Sequence, residues 1–225
     1  MAVITFPGSN CDDDTVMALG RLGVPVVRRW YRDRDLGEAR RVVLPGGFSY
    51  GDYLRSGALA ARAPIMDAVE DGVATGRLTV LGICNGFQIL CERGLLPGAL
   101  RPNRDGRFRC TWEWVRVATA PLHWPEFRPG TRFRLPIAHR EGAFTLPRAE
   151  LDRLWQEGAV FLQYCGPDGA VGDEYNPNGS MDQVAGICRG RVMGLMPHPE
   201  RAVAAYLGSE DGLRFLRAWL ASEGE

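Results

Sequence analysis

The sequence contains no lysine, and all 27 of its basic residues are arginines. A Walker A phosphate loop, the ATP site of a protein kinase and a Schiff-base enzyme each require a lysine at a fixed place. These three classes are therefore excluded, and the chain shows no ATP-binding motif of its own.

An excess of one charge is also missing, since 27 acidic residues balance the 27 arginines. A net charge of zero argues against a dedicated binder of nucleic acid or of anionic membranes. No apolar run approaches the length that spans a bilayer, and residues 1–6 lack the basic start of a signal peptide. We therefore expect a cytoplasmic protein whose partners include neither nucleic acid nor membrane.

Closely spaced cysteines are absent as well. The six cysteines are scattered, and none forms a C-x-x-C pair. Zinc sites and disulfide frameworks normally show such spacing. We expect no metal site, and unpaired thiols suit a reducing compartment.

The apolar segments predict an α/β protein with one domain over residues 1–225. Continuous apolar strands at residues 2–6, 24–27, 41–44 and 78–83 alternate with helices at 12–22, 57–73 and 85–93. This order is typical of a mainly parallel central sheet flanked by helices. The second half instead predicts an antiparallel region, with strands at 111–117, 132–138, 160–165, 184–188 and 192–196 and a helix at 213–220. Residues 189–191 suggest a hairpin, and residues 97–106 and 167–180 are expected to form loops.

The apolar strand at residues 78–83 runs into Cys84, which has Gly82 two residues before it and Gly86 two residues after it. This is the layout of a nucleophile elbow, with cysteine as the nucleophile. The glycines allow a strained turn in which strand and helix pack closely. The sulfur then lies at a helix N-terminus, where the dipole favours a thiolate.

A cysteine nucleophile needs a base and a group that orients the base. The best candidates are His198, in a Pro-His-Pro-Glu run directly after an apolar strand, and Glu200 two residues later. In extended backbone, residues two apart point to the same side. His139 with Glu141 is the rival pair and is ranked second.

An oxyanion hole requires two converging N–H donors. The N–H of Asn85, at the start of the elbow helix, is one candidate. The second is Gly47, in a Pro-Gly-Gly turn that ends a strand expected to lie beside the elbow strand. Each motif alone is a modest signal, but the three motifs, each after an apolar strand, strengthen one another.

These motifs resemble the class I, or triad-type, glutamine amidotransferases, which carry a Pro-Gly-Gly loop, a Gly-x-Cys-x-Gly-x-Gln elbow and a late His-Pro-Glu. The chain has them at residues 45–47, 82–88 and 198–200. Longer stretches at 45–55, 176–180 and 194–201 are similar to the glutaminase subunits of purine biosynthesis within that family. The likeness covers essentially the whole chain and departs from the family pattern at Arg140, where a glycine is usual.

The resemblance implies a flavodoxin-like fold and a reaction. Cys84, His198 and Glu200 would hydrolyse L-glutamine to glutamate and ammonia, with Gly47 and Asn85 as oxyanion donors. It also implies that Gln88 and Gly46 help to bind the glutamine.

The resemblance also implies partners. A large synthetase subunit would bind ATP, Mg²⁺ and formylglycinamide ribonucleotide and use the ammonia, so that no cofactor is expected on this chain. A third small subunit usually joins bacterial assemblies. The candidates for the docking surface or the ammonia passage are Phe48, Arg55, His139, Glu141, Asn176, Asn178 and Ser180.

Two other functions remain open from the residues. The elbow alone is compatible with a cysteine hydrolase or thioesterase on a related sheet. A binding subunit with a degenerate site is the second alternative, against which the intact set of Cys84, His198 and Glu200 argues.

Overall fold

A computed structural model describes residues 1–221 of the chain. Its strands and helices alternate through the first half, whereas strands dominate the second half. In chain order the elements are β1 (Ala2–Thr5), α1 (Asp12–Arg21), β2 (Val27–Trp30), β3 (Arg41–Leu44), α2 (Ile65–Ala74), β4 (Thr79–Ile83), α3 (Asn85–Arg93), β5 (Ala99–Pro102), β6 (Arg109–Val117), β7 (Arg132–His139), β8 (Glu141–Thr145), α4 (Arg148–Gln156), β9 (Val160–Cys165), β10 (Val184–Arg189), β11 (Val192–Leu195) and α5 (Asp211–Leu220).

Nine strands form one mixed sheet in the order β2-β1-β3-β4-β11-β10-β9-β6-β7. The first five of these strands are parallel to one another. Their order matches the 2-1-3-4-5 arrangement of flavodoxin-like sheets. The remaining strands are antiparallel, and β5 pairs with β8 in a separate small sheet. The predicted α/β class, with a parallel half and an antiparallel half, is confirmed.

The core strands β3 and β4 are apolar because both of their faces are covered. Val42, Val43 and Leu44 of β3 are fully buried, as are Val80 and Leu81 of β4. Helix α3 packs against β3, β4 and β11. The centre of the sheet is therefore rigid, and the loops that follow these strands are anchored at one end.

The second strand begins three residues later than the sequence predicts. Its first paired residue is Val27, whose N–H donates to the carbonyl of Met1, and the strand continues to Trp30. Pro25 has no N–H for the ladder, so pairing starts beyond it. The strand lies at the edge of the sheet, where charged residues such as Arg28 are tolerated.

Three further expectations were wrong. The helix predicted over residues 57–73 is interrupted, because Ala63 is extended (ψ 144°) before Pro64 and α2 starts only at Ile65. Part of the loop expected at 97–106 is strand β5, which pairs with β8. Helix α4 and strand β8 were not anticipated, because their short apolar patterns resemble loops.

The carboxyl ends of β1, β3, β4 and β11 lie at one edge of the sheet, since these strands are parallel. The order of strands reverses between β1 and β3, and ligands of open α/β sheets bind at such a switch point. The Cys84 turn, the loop after β3 and the His198 segment all follow strands that end at this edge. Among the described residues, no helix combines the length and apolarity that crossing a bilayer requires.

Candidate active site

The turn at Cys84 is a strained nucleophile elbow. Cys84 has φ 49° and ψ −103°, a conformation that is unfavourable for a residue with a side chain. A Cβ on Gly86 would lie 2.0 Å from the Leu44 carbonyl oxygen, and one on Gly82 would lie 2.7 Å from that of Gly86. The two glycines therefore let β3, β4 and α3 meet behind the sulfur.

Burial controls the ionisation of the Cys84 thiol. The residue is only 4% exposed, and its sulfur lies 3.7 Å from the Ala138 carbonyl oxygen. Burial, and then the nearby Cys11 and Glu200, raise the pKa of this thiol well above its usual range. The Asn85 N–H donates to the sulfur and acts in the opposite direction. The thiolate expected from the helix dipole is thus disfavoured before substrate binds, and a base is needed.

His198 and Glu200 form a buried pair next to this edge. Nδ1 of His198 lies 2.6 Å from a carboxylate oxygen of Glu200, and both residues are 1% exposed. The backbone differs from expectation, because Glu200 lies in a short 3-10 turn (Pro199–Arg201) rather than in extended chain. The contact holds Nδ1, and Nε2 of His198 has no partner among residues 1–221. That nitrogen is therefore free to accept a proton.

The loop after β3 approaches both His198 and the segment that follows β1. A Cβ on Gly46 would lie 2.6 Å from Cε1 of His198, so the imidazole packs directly on this glycine. Gly47 has φ 143° and lies beside Asn10, whose amide nitrogen would be 2.8 Å from an added Cβ. Only glycine fits at either position, which explains the Pro-Gly-Gly run.

A cavity of about 260 Å³ opens above the nucleophile. Its lining includes Cys84, Gly47 and Gln88, together with Asp52 and Glu141. This brings the predicted nucleophile, one predicted oxyanion donor and one of the two predicted glutamine-binding residues to one space, whereas Gly46 does not line it. Concave sites with a few convergent polar groups are typical of small-molecule binding.

Gln88 is buried and held at both ends of its amide. Its oxygen accepts from Nδ2 of Asn85 at 2.9 Å, and its nitrogen donates to the Glu141 carbonyl at 2.6 Å. The Asn85 side-chain oxygen in turn accepts from the N–H of Ser49, in the loop after β3. These bonds hold the elbow helix, the β3 loop and β8 in one arrangement around the cavity.

His139, the rival base, does not pair with Glu141. Its Nδ1 lies 3.1 Å from the Asn103 side-chain oxygen, while the Glu141 carboxylate accepts from the N–H of Ser56. Burial lowers the pKa of His139 to about 3. A base this weak is neutral at pH 7 but cannot hold a proton, so the second-ranked pair is contradicted.

The candidate docking and passage residues fall into three groups. Phe48 and Arg55 are exposed near the cavity, and Arg55 forms a bidentate ion pair with Glu92. His139 and Glu141 form the second group and lie at the end of β7 and the start of β8.

Residues 176–180 hold the small sheet in place. Asn178 and Ser180 are fully buried or nearly so, and both donate to the Gly142 carbonyl. Asn176 donates to the Ser180 carbonyl. Asn178 and Ser180 therefore cannot belong to a docking surface, and their part in an ammonia passage stays a prediction.

Sequence reasoning missed a second buried thiol behind the triad. The Cys11 sulfur accepts from Arg201 at 2.9 Å. It also lies within 4.8 Å of ligand atoms of His198 and Glu200, which is a spacing that a metal ion could use. Nε2 of His198 and one oxygen of Glu200 have no partner among the described residues, but the Arg201 guanidinium that donates to the Cys11 sulfur would repel a cation. The cluster therefore supports the triad and is a poor metal site.

Asn103 and Cys11 are support residues that the motifs did not indicate, and Asp52 lies in the 45–55 stretch but was given no role there. The position of Cys11 after β1 was a usable signal. The carboxyl ends of β1 and β3 lie at the same edge of a parallel sheet, which is where the site forms. For Asn103 no local signal exists, since only the tertiary fold brings the residue after β5 to the site.

The chain matches known proteins along its length. A model of the CobB/CobQ-like glutamine amidotransferase domain matches residues 1–211. Phosphoribosylformylglycinamidine synthase subunit PurQ of Thermomicrobium roseum is 50% identical over 225 residues, covering 98% of this chain and 94% of the relative. The corresponding PurQ subunit of Methanosarcina acetivorans is 49% identical over 216 residues, covering 94% and 93%. The solved structure of PurLQS from Thermotoga maritima is similar with a TM-score of 0.85 and 39% identity, covering 97% and 96% of the two chains.

Proposed function

The chain belongs to the family of glutamine amidotransferases with a CobB/CobQ-like domain, and on that premise we propose that it is the glutaminase subunit of a phosphoribosylformylglycinamidine synthase. It hydrolyses L-glutamine to glutamate and ammonia. The ammonia serves the ATP-dependent conversion of formylglycinamide ribonucleotide to formylglycinamidine ribonucleotide in purine biosynthesis. The match of the domain model to residues 1–211 supports one glutaminase domain for the chain.

In the first half of the reaction, Cys84 attacks the side-chain amide of glutamine. Nε2 of His198 takes the thiol proton, and Glu200 holds the imidazole and stabilises its charged form. The N–H groups of Gly47 and Asn85 stabilise the oxyanion, and loss of one such donor raises the barrier by roughly 3 kcal/mol. Desolvation keeps Cys84 a thiol until the base and substrate are in place.

In the second half, His198 returns its proton to the leaving nitrogen, so that ammonia departs and a glutamyl thioester remains on Cys84. A water molecule, deprotonated by the same imidazole, then attacks the thioester carbonyl. Glutamate is released and the thiol is restored. Gln88 and Gly46 shape the pocket. The amide of Gln88 holds the neighbouring segments in place, and Gly46, which has no side chain, leaves room for the imidazole of His198.

The observation that carries this proposal is the arrangement of Cys84 on a strained elbow beside the buried pair of His198 and Glu200. The alternative of a thioesterase or another cysteine hydrolase shares the elbow. Gln88 and the Gly46-Gly47 loop on the same cavity favour glutamine. The PurQ relatives at about half identity favour this family over either alternative.

A partner must use the ammonia, because the chain has no lysine for a phosphate loop. We assign ATP and Mg²⁺ to a large synthetase subunit, and we include a third small subunit in the assembly; the similarity to PurLQS supports both. Glutaminase activity should be weak until the synthetase docks. The unpaired cysteines of residues 1–221 suit the cytoplasm.

The test is covalent labelling with 6-diazo-5-oxo-L-norleucine, an electrophile that mimics glutamine. Label should attach to Cys84, and Cys84→Ala should abolish both labelling and glutamine-dependent amidation in the complex. Cys110→Ala is the matched control, because Cys110 is exposed and outside the cavity. Labelling that survives Cys84→Ala, or a wild-type complex that amidates with ammonia but never with glutamine, would refute the proposal.

A further inference from the structure

Two carboxylates line the cavity above Cys84. Asp52 and Glu141 both border it, and neither forms an ion pair within residues 1–221. Glu141 accepts from the Ser56 N–H at 3.2 Å, and the neighbouring Ser56 side chain lowers the pKa of the Asp52 carboxyl. One carboxylate oxygen of Asp52 is buried with no hydrogen-bond partner among the described residues. The cavity thus holds two carboxyl groups, and one oxygen of Asp52 is left without a partner in the described part of the chain.

Asp52 is held in place at a conformational cost. Its φ is 50°, and Tyr50, two residues earlier, has φ 56°. Left-handed backbone at a residue with a side chain is unfavourable, and it persists at functional sites where the surroundings impose it. The turn aims a polar residue into the cavity rather than out to solvent.

A buried, unpaired carboxylate is costly unless a cation meets it. Burial raises the pKa of Asp52 to about 6, and the nearby Glu141 adds to the shift while Ser56 opposes it. A bound cation would reverse this shift and stabilise both carboxylates. The glutamine of the proposed function carries such a group, since its α-ammonium lies at the end remote from the reacting amide.

Resting on the proposed function, we propose that Asp52, with Glu141 beside it, binds the α-ammonium group of the substrate. The site therefore selects the free amino acid and rejects carboxamides that lack a free α-amino group. Arg140 is the cationic side chain among the residues that line this cavity. Its guanidinium is the group on this chain suited to the α-carboxylate, because a planar fork matches a carboxylate.

Removing the ammonium group from the ligand leaves one buried oxygen of Asp52 without a hydrogen-bond partner among residues 1–221. A charge-assisted hydrogen bond lost in this way corresponds to roughly 10- to 100-fold in binding. Sites built around buried polar groups discriminate strongly against ligands that lack the partner. Asp52 is thus a specificity residue, whereas Cys84 and His198 act on the amide.

The experiment compares L-glutamine with 4-carbamoylbutanoate, which is glutamine without its α-amino group. The full chain is assayed in complex with its synthetase subunit. Wild type should favour L-glutamine by roughly 10- to 100-fold in kcat/KM. Asp52→Asn should lower kcat/KM for L-glutamine by the same roughly 10- to 100-fold, mainly through a higher KM. The kcat/KM for the analogue should stay within about twofold of wild type. Asparagine tolerates left-handed backbone, so the turn should persist.

Asp71→Asn, on the exposed side of α2, is the matched control and should leave both substrates unchanged. Equal use of both substrates by wild type, or an equal loss for both in Asp52→Asn, would overturn the assignment of Asp52. The wild-type comparison does not depend on the folding of any variant. Failure of wild type to release any ammonia from L-glutamine would instead refute the proposed function, and with it the assignment of Asp52.

Discussion

Burial pushes the titratable groups around the nucleophile toward their neutral forms. It raises the pKa values of Cys84 and Asp52 and lowers that of His139. The three effects have one cause, because removing water penalises whichever form is charged. Charge then develops at the site only where a partner compensates it, as Glu200 does for His198 and as the N–H groups of the elbow do for the oxyanion.

His139 makes this burial measurable through the stability of the protein. Burial lowers its pKa to about 3 in the folded chain, from the ordinary histidine value of about 6.5. The depressed pKa contributes stability that is present above pH 6.5 and is lost as the pH falls toward 3. The contribution of this residue to the free energy of unfolding should fall by about 1.4 kcal/mol per pH unit within that window.

His139→Gln removes the titrating ring. Urea unfolding at several pH values between 4 and 7 should show a shallower acid slope for this variant than for wild type. Parallel slopes would mean that His139 becomes charged without unfolding the chain, and would contradict its burial.

At the scale of elements, the site depends on how closely α3 approaches β3 and β4. Backbone atoms make the contact at both glycines, Leu44 against Gly86 and Gly86 against Gly82, and backbone cannot rotate out of the way as a side chain can. Gly82 and Gly86 are therefore requirements of packing, as well as parts of a recognisable motif.

Gly86→Ala should destabilise the protein by about 3 kcal/mol, because the new Cβ would overlap the Leu44 carbonyl oxygen, 2.0 Å away. Activity should fall as well, since α3 carries Asn85 and Gln88. Thermal unfolding and ammonia release report the two effects.

Gly20→Ala is the matched control within a helix. Gly20 lies in α1, and a Cβ there would meet no atom within 4 Å. This change should stabilise the chain by about 0.5–1 kcal/mol. A Gly86→Ala variant as stable as Gly20→Ala would show that the elbow can relax, and the packing argument would fail.

At the scale of the whole molecule, the cavity opens beside an apolar surface. Phe48, Tyr53, Leu54 and Phe108 are exposed by 41%, 90%, 61% and 47%, and the rings of Phe48 and Phe108 lie 6.2 Å apart. Phe48 and Phe108 also line the cavity. We call these four residues the mouth surface. Exposed apolar groups beside an active site are typical of a docking face.

The double variant Tyr53→Ser/Leu54→Ser should weaken binding of the synthetase subunit by at least about tenfold, because aromatic and aliphatic anchors dominate interface energies. Labelling of Cys84 by the diazo-ketone should be retained, since neither side chain lines the cavity. Calorimetric titration of the two subunits measures the change in affinity.

Leu122→Ser is the control for surface exposure. Leu122 is 85% exposed and follows β6, which ends at the opposite edge of the sheet from Cys84. The affinity of the Leu122→Ser variant for the synthetase subunit should match that of wild type. Equal affinities for all three proteins would exclude the mouth surface from the interface.

The sequence by itself determined the parts of this protein that local chemistry controls. Continuous apolar strands indicated a covered parallel sheet, and the spacing of Gly82, Cys84 and Gly86 indicated the elbow. His198 and Glu200 were found because they follow a strand closely. Each of these signals lies within a few residues, so backbone geometry and burial act on it directly.

The tertiary structure decided which distant residues share the site. It separated His139 from Glu141, buried Asn178 and Ser180, and brought Asp52 and Cys11 to the nucleophile. Strand boundaries such as the start at Val27 likewise depend on pairing with a neighbour. The physical reason is that burial and hydrogen-bond partners come from segments far apart in the chain, and a pattern of local residue types does not encode how those segments meet.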